Sequence, residues 1–234
     1  MPLCNISEVK KAAIVNSIQK GLLRNKIRIE QEGLIDRNGI GLMALNYIFA
    51  EMRKLDNLFD VYSFQRGPFS MVLLYDKESG ALISFISQSN LKNLENRRHV
   101  SKVHYGDALV LFNKNNFEEP CQIGMFEQAD IEEDRKVILD KILKAINEIS
   151  PESHIFIAYD INHKRFQLCS VYEEARSVNY YSVLHENLNK YIIAELDELE
   201  GIDNSSPEYD VFGERRQRKG LTISIKPEIL IKKN

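Results

Sequence analysis

Two stretches of this chain, 84 residues apart, follow the same plan and constrain its fold more than any other feature. Met71–Ser87 and Ile155–Val171 each contain an apolar run that ends in Tyr-Asp, a short polar loop and a second apolar run. Two apolar runs joined by a short polar loop are typical of a β-hairpin. In the first loop, Gly80 can supply the positive φ that reverses the chain. The sequence therefore predicts two antiparallel hairpins.

Each hairpin follows a segment with helical periodicity. Apolar residues recur on one face between Ile40 and Leu58, and again between Ile131 and Ile149. A further helix is predicted near the start of the chain, where Asn5 and Glu8 have capping-box spacing and Gly21 is expected to end it. This order predicts an α+β fold, a mainly antiparallel sheet built from two helix-plus-hairpin units with helices packed on one face.

Three shorter segments are less clearly patterned. Asn25–Glu32 alternates polar and apolar residues, which suits an edge strand or a helical turn, and the strand is favoured. Tyr180–Leu184 is a candidate for a further strand, and Leu188–Leu199 for a helix with an acidic exposed side. The two similar hairpins indicate either an internal duplication or two ordinary hairpins. The second interpretation is favoured because Tyr-Asp at a strand end is common turn chemistry.

The domain organisation follows from the absence of a long Pro/Gly/Ser linker, so residues 1–200 are predicted to form a single α+β domain. Residues 201–234 are predicted to form a charged C-terminal arm, in which Leu221–Ile225 could dock as an edge strand. Between Glu195 and Glu214 there are eight acidic residues and no lysine or arginine, and a basic cluster follows at once. That cluster consists of Arg215, Arg216, Arg218 and Lys219.

The basic cluster is a candidate contact for phosphate or for an acidic protein face. The simpler interpretation is that it pairs with the acidic run of the same molecule or is a solvated loop. Arg66, beside Gly67 and Pro68, is a second candidate binding residue, since a cation at a sharp bend can clamp an acidic group. That acidic group is expected to belong to the same chain.

Composition limits the classes of function. Hydrophobic residues make up 44% of the chain, which is ample for a core, and a net charge of −3 gives no global positive field for nucleic acid. The odd and widely spaced Cys4, Cys121 and Cys169 indicate reduced thiols and a cytoplasmic protein. There is no apolar stretch near the roughly 18 residues that a membrane span requires.

Motifs for catalysis and cofactor binding do not stand out. Neither a P-loop nor a dinucleotide fingerprint is present, and no GxSxG elbow occurs. The histidines lack the spacing with a carboxylate that builds a local metal site. No cofactor is predicted. The histidines are His99, His104, His154, His163 and His185.

Two constellations keep an enzymatic alternative open. Asp76 and Asp160 both follow apolar runs, and a carboxylate at a strand end can hold Mg²⁺ in a metal-dependent nuclease. Neither following strand carries the acidic residue and lysine of such a site, so turn hydrogen bonding is the favoured role. His104 and Asp107 could form an orienting pair for acid–base chemistry, although a satisfied surface pair is the simpler interpretation.

The function predicted from these features is a non-enzymatic cytosolic binding or adaptor module that recognises another protein through its sheet or its C-terminal arm. The alternative is a nucleic-acid-associated protein, in the extreme a divergent metal-dependent nuclease. In that alternative, Arg97, Arg98 and the C-terminal cations contact phosphate. The two hypotheses differ in their dependence on salt and on those cations.

Overall fold

The structure is a computed structural model that describes residues 6–32, 40–66, 69–96, 103–117, 128–147, 149–178, 180 and 183–193. The chain divides into two units, Met1–Leu196 and Asp197–Asn234, and every described residue belongs to the first. The charged arm and its strand at Leu221–Ile225 therefore lie outside the described residues and stay predictions. The first unit combines helices with a six-stranded sheet, which confirms the α+β class.

Helices and strands alternate in blocks along the described part of the chain. Its helices are α1 (Glu8–Glu32), α2 (Ile40–Met52), α3 (Gln88–Asn96), α4 (Tyr105–Leu109) and α5 (Gln128–Ala145), with short 3-10 turns at Arg53–Leu55, Val110–Asn113 and Asn189–Tyr191. Its strands are β1 (Asp60–Arg66), β2 (Phe69–Asp76), β3 (Ala81–Ser87), β4 (Ser153–Asn162), β5 (Gln167–Arg176) and β6 (Val183–Asn187).

The sheet has the order β1-β2-β3-β4-β5-β6 and is mixed. Neighbouring strands are antiparallel except β3 and β4, which are parallel at the centre. The prediction of a mainly antiparallel sheet built from two hairpins is therefore wrong in detail. Each hairpin gains a third strand, and α3 to α5 lie in the long connection that a parallel pair requires.

Helices pack on both faces of the sheet, which corrects the prediction of one face. In β4, Ile155 and Ile157 join the core cluster that contains residues of α1 and α2. Phe156, between them, joins a second cluster with Leu91 and Leu94 of α3. Successive strand residues point to opposite faces. The continuous apolar runs of the central strands therefore require cover on both sides, as parallel strands generally do.

Helix α1 is longer than the sequence predicts, since it continues through Gly21 and through Asn25–Glu32. Both the expected stop and the expected strand are wrong. A Cβ at Gly21 would lie 2.6 Å from the backbone N and Cα of Ile48 in α2, so this glycine permits the close approach of two helices. The charges in the alternating segment form helical i,i+4 pairs, Lys26 with Glu30 and Arg28 with Glu32.

The turn of the first unit agrees with the prediction, since Gly80 has φ 66°. The second hairpin-like unit differs from expectation at its end. After β5, Tyr180 has φ 60° and lies outside the last strand, which is Val183–Asn187 instead of Tyr180–Leu184. Where a helix was predicted from Leu188, the described residues form a 3-10 turn and then extended backbone at Ile192.

A buried polar network fastens the centre of the sheet. Asn113 Nδ2 donates to the carbonyls of His154 and Arg176, both at 2.9 Å, and the His154 amide donates to Asn113 Oδ1 at 2.7 Å. His154 Nε2 lies 2.9 Å from Ser84 Oγ. Burial lowers the pKa of His154 to about 3. The imidazole is therefore neutral at pH 7 and belongs to this buried hydrogen-bond network.

Candidate functional site

The two predicted metal ligands lie at opposite ends of the central strands. Asp76 is paired with Ala81 at the start of β3, and Asp160 directly follows Tyr159, which is paired with Ser87 at the end of β3. The length of β3 separates them by about 20 Å along the strand direction. The structure therefore does not bring the two aspartates together.

Each aspartate has local partners. Asp76 is 1% exposed, and its carboxylate accepts hydrogen bonds from Lys10 Nζ at 2.6 Å, Ser79 Oγ at 2.7 Å and the Glu78 amide at 3.3 Å. Asp160 accepts from the amide of Ile161 at 3.0 Å. The contacts of Asp76 with Ser79 and Glu78 are of the turn type that the sequence favoured, whereas Lys10 reaches Asp76 from α1 and the Asp160 contact lies within β4. Among the described residues, no three His, Cys, Asp or Glu side chains are arranged to hold a metal ion.

The other candidate residues are placed as follows. His104 and Asp107 form a capping box at the start of α4, where His104 Nδ1 accepts from the Gly106 amide at 3.1 Å and Asp107 accepts from the His104 amide at 2.8 Å. Tyr180 donates its hydroxyl to Asp107 at 3.1 Å. Arg66 lies opposite Phe69 at the end of β1. The cluster from Arg215 to Lys219 lies outside the described residues.

The most exposed strand in the described part of the chain is β6, at the end of the sheet opposite β1. It pairs with β5 from Tyr172↔Asn187 to Arg176↔Val183, and no described strand pairs with its other side. Four of its five residues are exposed, and Glu186 is half-buried. Val183 is 39% and Leu184 47% exposed. This strand carries apolar side chains in solvent on both of its faces.

The hydrogen-bond register fixes which backbone groups of β6 face outwards. The Leu188 amide donates to the Val171 carbonyl at 3.0 Å, so the pair directly after β6 is of the hydrogen-bonded type. Because the two types of pair alternate in an antiparallel ladder, Leu184 and Glu186 direct their N–H and C=O groups to β5. The amides and carbonyls of Val183, His185 and Asn187 therefore point away from the sheet.

The side chains of β6 also alternate between two environments. Leu184 and Glu186 lie on the face covered by α1, since Glu186 binds Lys11 of that helix at 2.5 Å. Val183, His185 and Asn187 lie on the other face. There the His185 ring meets that of Tyr172 edge to face, with centroids 5.8 Å apart. A strand added to β6 would thus meet Leu184 and Glu186 on one face and Val183, His185 and Asn187 on the other.

An ionic group lies beneath the α1 face of β6. Lys11 is 5% exposed and contacts Glu186 at 2.5 Å and Glu173 at 3.2 Å. Lys190 Nζ lies 2.8 Å from a carboxylate oxygen of Glu8 and 3.7 Å from a carboxylate oxygen of Glu186. Burial lowers the pKa of Lys11, but the two carboxylates outweigh it and the net shift is upwards. Burial raises the pKa of Glu173 despite the opposing effect of Lys11.

The segment after β6 is fastened to α1. The side-chain amide of Gln19 donates to the Ile193 carbonyl at 2.8 Å and accepts from the Ile193 amide at 3.1 Å. Asn189 Oδ1 accepts from the Val171 amide at 2.8 Å, which completes the ladder where β6 ends. These contacts hold β6 at a defined position although few side chains cover it.

Sequence reasoning missed β6 as a site because its five residues, VLHEN, lack strict alternation and follow the predicted strand by three positions. One signal was present in α1. Lys10 and Lys11 lie side by side on a helix, and a pair of buried lysines requires carboxylates from the surrounding structure. Those carboxylates are Asp76 and Glu78 for Lys10, and Glu173 and Glu186 for Lys11.

The chain belongs to a family of unknown function, DUF5986, whose model matches residues 3–234. No curated protein matches the chain, and no solved structure matches it. The family name assigns no activity. Among the described helices, none has the length and apolar character to cross a bilayer.

Proposed function

We propose that the protein is a non-enzymatic binding module that recognises another protein by pairing an extended segment of that protein with β6. The observation that carries the proposal is the exposed edge strand, whose apolar side chains at Val183 and Leu184 are both more than one-third exposed. Unpaired edge strands are templates for strand addition, in which main-chain hydrogen bonds supply affinity and alternate side chains supply specificity.

Two features make β6 suited to this role. It is held firmly from one side by β5 and by the contacts of Asn189 and Gln19, so a partner would meet an ordered strand. Ordering a strand before binding reduces the entropy that association costs. Its outer side carries none of the lysines or prolines with which proteins commonly protect sheet edges from pairing. Both features favour pairing with an extended peptide.

The test uses the outward amide of His185. In H185P the proline removes that N–H, while the ladder to β5 runs through Leu184 and Glu186 and stays intact. In H185A the imidazole is lost and the amide is kept. Peptides selected from a random nine-residue phage library on the full chain should lose at least about tenfold in affinity for H185P and much less for H185A.

Two outcomes contradict the proposal. Peptides that bind H185P as tightly as the unaltered chain show that recognition lies elsewhere. The proposal is also contradicted if the library yields no peptide whose affinity falls in H185P. Circular dichroism and the unfolding midpoint of both variants confirm that the sheet is kept. The nucleic-acid alternative stays a hypothesis whose basic cluster, Arg215 to Lys219, can be tested by neutralisation and salt titration.

A further inference from the structure

The partner chemistry that β6 selects follows from the two side chains on its α1 face. Leu184 is 47% exposed, and the Glu186 side chain is 42% exposed. They lie two positions apart on one strand, so residues directly opposite them on an added strand would also be two positions apart and on the same face. One of these positions meets an aliphatic side chain and the other a carboxylate.

The charges around Glu186 do not balance within the described residues. Three carboxylates, Glu8, Glu173 and Glu186, interact with two ammonium groups, Lys11 and Lys190. One negative charge is therefore in excess beside the open edge. A cation from another chain would complete the group, and opposite charges across neighbouring strands stabilise the pairing.

A second observation identifies where the excess lies. Glu173 is 5% exposed, and its buried Oε2 atom has Lys11 as its ion-pair partner. That oxygen lies 3.2 Å from Lys11 Nζ, but the short hydrogen bond of Lys11 is made to Glu186 at 2.5 Å. Lys11 is thus shared between two carboxylates. If Glu186 turned to an external cation, Lys11 could bind Glu173 alone.

We propose that the strand recognised by β6 carries a lysine or arginine opposite Glu186 and an apolar residue opposite Leu184, two positions away. This inference rests on the proposed function and adds the class of partner, an extended basic and apolar segment of another protein. A second copy of this chain fits less well. In an antiparallel pair of β6 strands centred on His185, each Glu186 would face Leu184 of the other copy and meet no cation.

The experiment compares two chemically matched variants. Glu78, in the turn after β2, forms an ion pair with the buried Lys10 at 2.7 Å. Glu186, in β6, forms the corresponding ion pair with the buried Lys11 at 2.5 Å. The E186Q and E78Q variants each remove one partly or largely exposed carboxylate from a buried lysine. Peptides selected on the unaltered chain should bind E186Q about three- to tenfold more weakly and E78Q within about twofold of the unaltered affinity.

The selected peptides provide a test that does not depend on folding of a variant. They should be enriched in a basic residue two positions from an apolar one, and replacing that basic residue by glutamine should weaken binding to the unaltered chain by about the factor seen with E186Q. The E186K variant should instead favour peptides with an acidic residue at that position. Unfolding midpoints of E186Q and E78Q show whether either change disturbs the fold.

The outcomes separate the two proposals. Peptides that lose affinity for H185P but show no basic preference overturn the inference and leave the β6 edge as the binding strand. Peptides that are indifferent to H185P overturn both. Sedimentation equilibrium in which the unaltered chain dimerises and H185P does not would assign β6 to a second copy, and it would overturn the inference as well.

Discussion

The two outer strands of the sheet, β1 and β6, differ in how far their side chains are buried. In β1, Phe64 is 8% exposed, α5 packs against the strand, and Asp60 is held by Lys77 at 2.8 Å. In β6, four of five residues are exposed, and among the described residues β5, α1 and the turn that follows hold the strand in place. The comparison supports the proposal that β6, and not the better-covered β1, is the strand that a partner would pair with.

The difference has a physical origin in the order of the chain. Strand β1 precedes the first hairpin, pairs along its full length with the apolar run of β2 and is contacted by α5. Strand β6 follows the second hairpin after a turn with positive φ at Tyr180. At this end of the sheet α1 contacts Glu186, while Val183 and Leu184 stay exposed. Changes in the core should alter unfolding, whereas changes in β6 should alter binding.

The largest expected effect concerns acid and the centre of the sheet. The pKa of His154 is lowered from 6.5 to about 3 in the folded chain. Below pH 6.5, His154 is protonated in the unfolded chain but stays neutral in the folded chain. The free energy of unfolding therefore falls as the pH drops towards 3, and the contribution of His154 is fully present above pH 6.5. Denaturant unfolding between pH 7 and 4 should show a loss of several kcal/mol, and H154Q should show a smaller one. An equal slope in H154Q would contradict this role for His154.

The next effect tests the contact between α1 and α2. In G21A the added Cβ meets the backbone of Ile48 at 2.6 Å, and backbone cannot move aside as a side chain can. We expect a loss of about 3 kcal/mol, even though alanine favours helix by about 1 kcal/mol. Urea denaturation measures the loss. In the control G106A, the nearest atom is a side-chain carbon of Leu94 at 3.0 Å, so the loss should be smaller.

A binding prediction uses two leucines with almost equal exposure. Leu184 of β6 is 47% exposed and Leu42 of α2 is 46% exposed. L184S should weaken the binding of β6-selected peptides by about 1 kcal/mol, measured by fluorescence anisotropy, because the aliphatic contact is lost. L42S should leave the affinity unchanged. Equal losses in the two variants would show that exposed apolar surface in general, and not β6, determines binding.

The smallest expected effect concerns the protected edge. The exposed Lys77 and the half-buried Asp60 form an ion pair at 2.8 Å beside β1, and ion pairs near the surface contribute little to stability. K77A should leave the unfolding midpoint unchanged and should not add a second peptide-binding site. Isothermal titration with a selected peptide gives the stoichiometry. Two sites in K77A would mean that this ion pair, and not the packing of Phe64 and α5, keeps β1 from pairing.

Periodicity predicted the elements whose burial follows directly from their own residues. The core-facing helix with Ile48, Phe49 and Met52, the strand at Ala81–Ser87 and the positive φ at Gly80 all agree with the structure. Errors arose where a distant element decides the structure. In the sequence, Gly21 resembles a helix stop. In the structure, it lies inside α1, where it permits close contact with the backbone of Ile48. Likewise, the parallel pairing of β3 with β4 depends on the long connection between them.

The candidate site was less predictable for the same reason. The sequence identified Asp76 and Asp160 by their strand-end positions, but pairing of the strands separates them. It did not predict that Glu173 and Glu186 pair with Lys11, because these contacts join residues more than 160 positions apart. Local patterns indicate which segments form strands. They do not specify which strand lies at an edge.

Amide hydrogen exchange at His185 tests the central claim most directly. In the free full-length chain, the His185 amide should exchange quickly, together with those of Val183 and Asn187, while Leu184 and Glu186 are protected by β5. Adding a β6-selected peptide should slow exchange at Val183, His185 and Asn187. A His185 amide that is already protected in the free chain, or one that the peptide leaves unchanged, would contradict recognition through an open β6 edge.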